Sequence, residues 1–409
     1  MASAADLLVK TLGVCRIDSP LRSRVESRRT TEHYVGEDDR VLFHDTVSLV
    51  AASGCPVDQL PGFEPAGPRR RIFFDPAKLR VGVVTCGGLC PGINDVIRGL
   101  VMELVFHYGV RHIHGFKNGY QGFVAKYGHD VVALTPALVS NIDEDGGTIL
   151  GTSRGAQDPH AVVDCLERMN IGALFVIGGD GTLRGAMQIA AAAAERDSRI
   201  AVVGVPKTID NDIPFIDQSF GFQTAFSEAT KAIESAHVEA KASPSGVGLV
   251  KLMGRHSGFI ACYASLAAPD ANYVLIPEVP FRLEGPGGLL EHLLDRVRHK
   301  GHAVIVAAEG AGQDLFDDPS GGVDASGNRR LRDVGVMLKE RIERHFAAAG
   351  ADLNLKYIDP SYLIRSVRSN PYDSVYCLRL AQNAVHAAMA GRTELVVGRW
   401  HGRFVHIPM

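Results

Sequence analysis

Three short segments of this 409-residue chain are rich in glycine, hydroxyl or carboxylate residues, and each directly follows an apolar run. They are Thr85-Cys86-Gly87-Gly88-Leu89-Cys90-Pro91-Gly92, Gly178-Gly179-Asp180-Gly181-Thr182 and Pro206-Lys207-Thr208-Ile209-Asp210-Asn211-Asp212. Open α/β sheets bind their ligands just beyond the carboxyl ends of their strands. These three segments are therefore where the sequence could do chemistry.

The second segment, Gly178-Gly179-Asp180-Gly181-Thr182, is typical of phosphoryl transfer. Its glycines let backbone amides approach a phosphate closely, but a carboxylate beside a phosphate requires a cation between them. Mg²⁺ held by one or two carboxylates and by phosphate oxygens meets that requirement, which makes Asp180 the candidate metal ligand. Because the same string occurs in sugar-phosphate, NAD and lipid kinases, it indicates the reaction more firmly than the substrate.

The first and third segments have plainer alternatives. The glycines around Gly88 could form a tight strand-to-helix turn without a ligand. Asp210 and Asp212 can face one cavity, where one accepts a hydroxyl proton and the other orients that hydroxyl or contacts metal. A lone Asp-x-Asp is more often an Asx turn with solvated acids. Its position at a third strand end, in register with the other two, favours the catalytic interpretation.

Arginine and glutamate residues follow two further predicted strands. The strings are Met253-Gly254-Arg255, Ala308-Glu309-Gly310 and, later in the chain, Tyr362-Leu363-Ile364-Arg365. Arginine suits bidentate capture of a sugar phosphate, and glutamate suits hydrogen bonds to sugar hydroxyls. Each string alone is weak, since single charged residues are commonly surface charges.

A competing motif is Gly151-Thr152-Ser153-Arg154-Gly155, which fits the nucleophile elbow of α/β hydrolases. An elbow requires a helix directly after the serine, whereas Asp158 and Pro159 intervene here. We therefore regard Arg154, not Ser153, as the residue of interest. The chain has no Gly-Lys dipeptide and hence no Walker A loop, and it lacks the His-Arg-Asp and Asp-Phe-Gly strings of protein kinases.

Short apolar runs alternate with helical periodicity from residue 78 onward. The predicted strands are 81–85, 173–177, 200–205, 247–252, 273–276 and 303–307, with an antiparallel pair at 395–400 and 404–407. The predicted helices include 94–106, 159–169, 183–195, 223–240 and 334–346. Continuous apolar runs are typical of parallel strands buried on both faces, so the alternation predicts a doubly wound α/β architecture, present twice.

Composition excludes several classes of protein. A total of 43 Lys+Arg against 46 Asp+Glu gives a net charge of −3, which argues against bulk nucleic-acid binding. No apolar run approaches the ~18 residues of a membrane helix, and the start of the chain is a poor signal peptide. Seven cysteines, an odd number, predict reduced thiols rather than a disulfide scaffold. We expect a cytoplasmic enzyme with no nucleic-acid or membrane partner.

Taken in order, the glycine-rich strings, the string from Pro206 to Asp212 and Met253-Gly254-Arg255 resemble the 6-phosphofructokinase family, from about Asp38 to the C-terminus. Leu249-Val250-Lys251-Leu252 before that last string, with Tyr357-Ile358-Asp359-Pro360-Ser361-Tyr362, is similar to the plant and trypanosomatid ATP-dependent branch. The resemblance implies two doubly wound, Rossmann-like parallel-sheet domains with the active site in the cleft between them. The expected domains are an extension (1–75), a nucleotide-binding domain (76–225 with about 362–392) and a sugar-phosphate-binding domain (226–361 with about 393–409).

The resemblance also implies a reaction. Asp210 would take the proton from the 1-hydroxyl of fructose 6-phosphate as that hydroxyl attacks the γ-phosphorus of ATP. Thr208 and Asp212 would place the hydroxyl and the metal, and Asp180 would bind Mg²⁺. Arg154 and Arg255 would stabilise the charge on the transferring phosphoryl group.

Further residues of the two binding sites follow from the same resemblance. The ATP site would be lined by Gly88, Tyr120, Arg154, Gly155, Gly179, Asp180, Gly181 and Thr182. The sugar phosphate would be held by Thr208, Ile209, Asp210, Met253, Gly254, Arg255, Glu309, Lys356, Tyr362 and Arg365. Lys356 stands where bacterial members carry Arg, and Gly246 stands where they carry another phosphate-binding Arg, so one sugar-phosphate contact is in doubt. A homotetramer is the family's assembly.

Two residues bear on the phosphoryl donor and point in different directions. Gly181 leaves the space that the α-phosphate of ATP needs, whereas pyrophosphate-dependent relatives carry Asp there. Lys207 instead resembles the pyrophosphate enzymes, since bacterial ATP enzymes have Gly. The plant-like branch combines both residues, which favours ATP, and a pyrophosphate-dependent phosphofructokinase is the alternative. A non-catalytic regulatory paralogue is a third possibility, which intact Asp180, Asp210 and Arg255 argue against.

The chain departs from the bacterial pattern where those enzymes bind a phosphorylated effector through several arginines. One of these matches Arg98, but the next, one helical turn later, falls on Met102, and a third falls on Asp145. Losing one arginine and reversing the charge at another removes charge-assisted hydrogen bonds. We therefore expect no activation by ADP and no inhibition by phosphoenolpyruvate through this site. Titration of both at subsaturating fructose 6-phosphate tests this, and a strong response abolished by Arg98→Ala would contradict it.

Overall fold

The structure is a computed structural model that describes residues 7–21, 34–316, 322 and 330–409. The chain divides into two compact units. Unit 1 contains the chain up to Thr208 together with Ile213–Phe220 and Arg368–Met409. Unit 2 contains Ile209–Asp212 and Gly221–Val367. Unit 1 therefore takes both ends of the chain, while unit 2 is formed by its middle.

The described residues contain short and long strands in alternation with helices. The strands are β1 (Lys10–Thr11), β2 (Ile17–Asp18), β3 (Val41–Leu42), β4 (Gly62–Pro65), β5 (Arg71–Ile72), β6 (Arg80–Thr85), β7 (His112–Phe116), β8 (Val131–Ala133), β9 (Ala173–Gly178), β10 (Ala201–Pro206), β11 (Gly246–Leu252), β12 (Tyr273–Leu275), β13 (His302–Ala308), β14 (Asn354–Ile358), β15 (Arg392–Thr393), β16 (Leu395–Trp400) and β17 (Arg403–Pro408). The helices are α1 (Val47–Ala52), α2 (Ile93–Met102), α3 (Pro159–Arg168), α4 (Asp180–Glu195), α5 (Phe222–Ala242), α6 (Phe259–Ala267), α7 (Leu289–Lys300), α8 (Val334–Ala348), α9 (Leu363–Ser366) and α10 (Pro371–Met389). Among these helices, none combines the length and apolar character needed to cross a bilayer.

Unit 1 is built on a nine-stranded sheet of order β3-β4-β17-β16-β10-β9-β6-β7-β8. Its central strands, β16-β10-β9-β6-β7, run parallel, and the flanking strands pair antiparallel. Strands β9 and β10 are buried throughout, as their continuous apolar sequences predict. Ile177 is the Cα partner of both Thr85 and Val205, so β6, β9 and β10 end at the same level of the sheet. The three chemistry-bearing segments therefore begin side by side.

Unit 2 contains a smaller, wholly parallel sheet of order β12-β13-β11-β14. Its core is formed by apolar side chains of β11, β12 and β13 with those of α7 and α8. Leu252, at the end of β11, is the Cα partner of Ala308 at the end of β13. The loops that carry Arg255 and Glu309 thus leave the sheet at one edge. Both units have the doubly wound α/β architecture that the sequence predicted.

The predicted strands agree with the observed ones to within one residue, and the C-terminal antiparallel pair is confirmed as β16 and β17. The predicted helix 94–106 instead ends at Met102 and continues as a π-helical segment over Glu103–Tyr108, which closes at the left-handed Gly109. Several predicted domain bounds require correction. Residues 209–212, 221–225 and 362–367, predicted in the first domain, belong to unit 2. Residues 393–409 belong to unit 1, not to the second unit, because β16 pairs parallel with β10 and β17 pairs with β16.

The predicted N-terminal extension is in fact part of unit 1 where it is described; residues 1–6 and 22–33 lie outside the described residues. Strand β4 pairs with β17 and so extends the main sheet. Within β4, the buried Glu64 carboxylate accepts hydrogen bonds from Arg69 at 2.7 Å and Arg392 at 2.9 Å, and His406 Nδ1 lies 3.2 Å away. Burial alone would raise the pKa of Glu64, but the His406 and Arg392 contacts outweigh it and hold the pKa at about 2.

We expect Glu64→Gln to destabilise the fold by about 3 kcal/mol at neutral pH, because it removes the carboxylate that two buried guanidinium groups share. Since folding lowers the pKa of Glu64 from 4.5, its stabilising effect is present above that value and is lost as the pH falls toward 2. Urea unfolding should therefore show a smaller difference between variant and wild type at acid pH. Lys10→Ala, which removes the exposed ion pair with Glu394, is the matched control and should cost less than about 1 kcal/mol. An equal loss in both variants would contradict the prediction.

Candidate active site

In unit 1, the glycine-rich loop after β6 is held by side chains from two other segments. The backbone N–H of Gly87 donates to the Ser153 carbonyl at 3.2 Å, and Thr152 Oγ1 donates to the Gly87 carbonyl at 2.6 Å. The buried Lys207 donates through Nζ to the Gly88 carbonyl at 2.6 Å. These contacts bring the loop of Arg154 and the loop after β10 against Gly88.

The first turn of α4 carries the Gly-Gly-Asp-Gly-Thr string. The buried hydroxyl of Tyr120 donates to the Thr182 carbonyl at 2.7 Å, so Tyr120 supports this turn from below. A Cβ on Gly185 would lie only 2.8 Å from the Tyr120 ring. A glycine at this position therefore allows the Tyr120 ring to pack against the helix. By contrast, a Cβ on Gly181 would meet nothing within 4 Å. The exposed N-terminus of a 16-residue helix next to open space can accept a phosphate.

The carboxylate of Asp180 fits a magnesium ion that also binds phosphate. Its side chain is exposed at the start of α4, beside the open space at Gly181. Mg²⁺ typically keeps several waters and uses one or two protein carboxylates together with phosphate oxygens, which is what this position offers. Arg184 forms an ion pair with Asp180 at 2.5 Å, a partner that the sequence analysis did not assign. The spacing of one helical turn could have suggested it.

In unit 2, Asp210 lies in a setting that raises its proton affinity. Burial raises the pKa of Asp210 to about 7, and the carboxylates of Asp212 and Glu309 add to this effect. The backbone N–H and the charge of Arg255 act in the opposite direction. Ser257 Oγ donates to the Asp210 carbonyl at 2.7 Å and so fixes the backbone at this residue. A carboxyl group that titrates near neutral pH suits a general base.

Two glycines allow the loops after β11 and β13 to approach each other. Gly254 has φ +129°, and a Cβ there would lie 2.4 Å from the Ser257 carbonyl oxygen. A Cβ on Gly310 would lie 2.0 Å from the Arg255 carbonyl oxygen, and the Gly310 N–H donates to the Gly254 carbonyl at 3.0 Å. This close approach brings Glu309 next to Arg255. Burial raises the pKa of Glu309, while the charge of Arg255 lowers it.

The segment after β14 adds a guanidinium group to this cluster. Arg365 lies with its Cζ 4.7 Å from the centre of the exposed Tyr362 ring, a cation–π contact. The Arg365 charge also acts on Glu309 and lowers its pKa. Unit 2 therefore brings together Asp210, Arg255, Glu309 and Arg365, with Asp212 as a further neighbour of Asp210.

Lys356 lies apart from this cluster. It is an exposed residue of β14, and its Cα partner on β11 is Gly248. Gly248 precedes Met253, which directly follows β11, by five residues. At 3.3 Å per residue, this separation is about 16 Å along the strand. Gly246 lies still further from the carboxyl edge, at the first residue of β11. The predicted sugar-phosphate contact of Lys356 is therefore not made within unit 2 as described.

The remaining predicted residues occupy loops of their own unit. Thr208, whose carbonyl accepts a hydrogen bond from Ser219 Oγ at 2.7 Å, ends a segment of unit 1, and Ile209 begins a segment of unit 2. Residues 151–158 form a loop that ends at the Asp158 cap of α3, so no helix directly follows Ser153 as a hydrolase elbow requires. At the effector position, Arg98 Nε lies 3.3 Å from Asp143 and donates to the Ser140 carbonyl, contacts that already engage this guanidinium.

Known proteins resemble this chain in sequence and in fold. The profile of the family described as "PFK: Phosphofructokinase" matches residues 80–388. The chain belongs to the phosphofructokinase family.

Similar curated proteins carry one name. The "ATP-dependent 6-phosphofructokinase" of Amycolatopsis methanolica is 58% identical over 98% of this chain and 89% of its own length. The "ATP-dependent 6-phosphofructokinase 7" of Arabidopsis thaliana is 52% identical over 85% of this chain and 71% of its own length. The "ATP-dependent 6-phosphofructokinase" of Trypanosoma brucei brucei is 43% identical over 96% of this chain and 80% of its own length. The similarity to the plant and trypanosomatid branch is confirmed.

Solved structures confirm the fold. A pyrophosphate-dependent phosphofructokinase from Marinobacter aquaeolei superposes with a TM-score of 0.64 at 24% identity, over 78% of each chain. The phosphofructokinase of Saccharomyces cerevisiae gives a TM-score of 0.65 at 24% identity, over 81% of this chain and 45% of that one. At this level of identity the likeness concerns the fold alone.

We expect Asp210→Asn to lower kcat by about 10²–10⁴ with a modest change in KM, because the amide cannot accept the hydroxyl proton. The same substitution should raise the melting temperature. Folding raises the pKa of Asp210 from 3.8 to about 7, so its ionisation opposes folding increasingly over that interval.

The gain in melting temperature should therefore be larger at about pH 8 than at about pH 5. Melting curves of wild type and variant at the two pH values, with steady-state kinetics on the same preparations, measure both effects. An Asn variant within about threefold of wild-type kcat would show that Asp210 is not the base.

Proposed function

We propose that the chain is an ATP-dependent 6-phosphofructokinase that transfers the γ-phosphate of ATP to the 1-hydroxyl of fructose 6-phosphate, giving fructose 1,6-bisphosphate. The observation that carries this proposal is the buried Asp210 carboxyl with a pKa near 7 beside Arg255 and Glu309. Relatives that are 43–58% identical over most of the chain and are named for this activity support it. An assay with both substrates tests it directly.

In this mechanism Asp210 accepts the proton of the 1-hydroxyl as that oxygen attacks phosphorus. Thr208 and Asp212 orient the hydroxyl, and the guanidinium groups of Arg255 and Arg154 stabilise negative charge on the phosphoryl group in transit. Since Asp210 titrates near neutral pH, it is a stronger base than an exposed aspartate and still is largely ionised at slightly alkaline pH.

The sugar phosphate is held by the side chains that gather at the carboxyl edge of the unit 2 sheet. Arg365 binds the 6-phosphate, Arg255 contacts the sugar beside Asp210, and Glu309 accepts hydrogen bonds from sugar hydroxyls. Ile209, Met253, Gly254 and Tyr362 complete the walls. Lys356 is exposed on β14, away from this cluster. The enzyme is a homo-oligomer in this proposal, a tetramer by family resemblance. Light scattering measures this state.

We place the enzyme in the cytoplasm. The phosphoryl donor binds at the start of α4. Gly88, Tyr120, Arg154, Gly155, Gly179, Gly181 and Thr182 form its site, and Asp180 would hold Mg²⁺ together with the bound nucleotide. The ion supplies neutralisation of phosphate charge. Gly181 leaves room for a nucleotide, while Lys207 is engaged by the Gly88 carbonyl. We therefore favour ATP over pyrophosphate.

Kinetics with ATP and with pyrophosphate, measured side by side, test the choice of donor. We expect faster turnover with ATP. Gly181→Asp should lower kcat/KM for ATP by about two orders of magnitude, because its carboxylate enters open space beside the phosphates and repels them.

Gly181→Ala is the matched control, since its methyl group meets nothing within 4 Å and carries no charge. It should retain most of the activity with ATP. Faster turnover of wild type with pyrophosphate would refute the choice of ATP, and an inactive protein with either donor would favour the regulatory paralogue.

A further inference from the structure

Lys251 is a charged residue inside an otherwise apolar parallel strand, and two carboxylates surround its ammonium group. It is the last residue but one of β11, and its side chain is only 12% exposed. Its Nζ lies 2.9 Å from Asp333 Oδ2 and 2.8 Å from Asp359 Oδ2. Both distances are those of strong, charge-assisted hydrogen bonds.

One carboxylate lies at the start of a helix and the other at the start of a loop. By binding both, the ammonium group connects this helix and this loop to the sheet. Asp333 caps α8 by accepting the N–H of Val336 at 3.1 Å. Asp359 directly follows β14 and accepts both the N–H and the hydroxyl of Ser361. The segment that starts at Asp359 continues through Tyr362 to Arg365. Lys251 therefore holds the first residue of the segment that carries two proposed sugar-phosphate residues.

The same ammonium group acts on a third proposed residue. Its charge is one of those that lower the pKa of Glu309 against the effect of burial, whereas the Asp359 charge raises it. Gln313 provides a parallel tie, because its side-chain amide donates to the Glu309 carbonyl at 2.9 Å and to the Arg332 carbonyl at 3.0 Å. The loops after β13 and β14 are thus both fastened next to Asp333.

We propose that Lys251 is a positioning residue for fructose 6-phosphate, which holds the 359–365 segment so that Tyr362 and Arg365 meet the sugar phosphate. The proposal rests on the proposed sugar site. A salt bridge that merely stabilised unit 2 would lower the melting temperature and leave KM unchanged. A positioning role raises KM for the sugar phosphate, because the binding groups no longer lie where the substrate needs them.

The test is steady-state kinetics of Lys251→Met with each substrate varied in turn. We expect KM for fructose 6-phosphate to rise by about tenfold or more, while KM for ATP and kcat stay within about threefold. Lys251→Arg, which keeps the charge but not the compact ammonium, should restore part of the loss. The matched control is Arg341→Met, which removes the Arg341–Glu284 ion pair of the same unit and should leave every kinetic constant unchanged.

The double variant Lys251→Met with Asp359→Asn separates stability from positioning. Lys251→Met leaves the carboxylates of Asp333 and Asp359 without their shared ammonium partner. Removing the Asp359 carboxylate as well should recover part of the melting temperature, yet KM for fructose 6-phosphate should stay raised. If Lys251→Met does not fold, this double variant and Asp359→Asn provide the same kinetic comparison.

A reference variant distinguishes failure of this proposal from failure of the sugar site. Arg365→Ala should raise KM for fructose 6-phosphate. If it does and Lys251→Met does not, positioning by Lys251 is refuted while the site stands. If Arg365→Ala has no effect, the sugar site is wrong and the proposal falls with it.

Discussion

Burial of one ionisable carboxyl group, that of Asp210, is the constraint to which the rest of unit 2 is fitted. Removing an aspartate from water beside Asp212 and Glu309 costs free energy, and a sheet edge selected for stability alone would not carry three acids. Partial compensation comes from the Arg255 N–H and charge. Local rules of stability are commonly broken at functional sites and offset elsewhere, here by the apolar core of unit 2.

Holding that carboxyl group requires a backbone that side chains would obstruct. Gly254 adopts a positive φ that other residues rarely tolerate, and Gly310 lies where a Cβ would overlap the Arg255 carbonyl. With both glycines in place, Ser257 reaches the Asp210 carbonyl. The string Met253-Gly254-Arg255 thus acts as a unit, in which the glycine is as necessary to the geometry as the arginine is to the charge.

Much of this arrangement could be predicted from sequence, and the reason is physical. A parallel strand buried on both faces must be apolar throughout, so β6, β9, β10, β11 and β13 could be located to within one residue. Half-exposed edge strands such as β14, and the pairing of β4 with β17 across more than 300 residues, leave no such local pattern. For this reason the sequence predicts an extension for the N-terminal segment, whereas its strands β3 and β4 form one edge of the unit 1 sheet.

The residues of the site could likewise be predicted from their types, but their surroundings could not. Asp180 and Asp210 could be singled out by their position at strand ends, but their contrasting settings could not. Asp180 is exposed at a helix start and pairs with the cationic Arg184, whereas Asp210 is withdrawn from water, which favours binding of a proton. Similar side chains placed in different surroundings acquire different chemistry. Lys251 illustrates a signal that sequence alone does provide: a charged residue within an apolar strand requires a partner of opposite charge. The position of that partner, here Asp359, then shows which segment the charged residue holds.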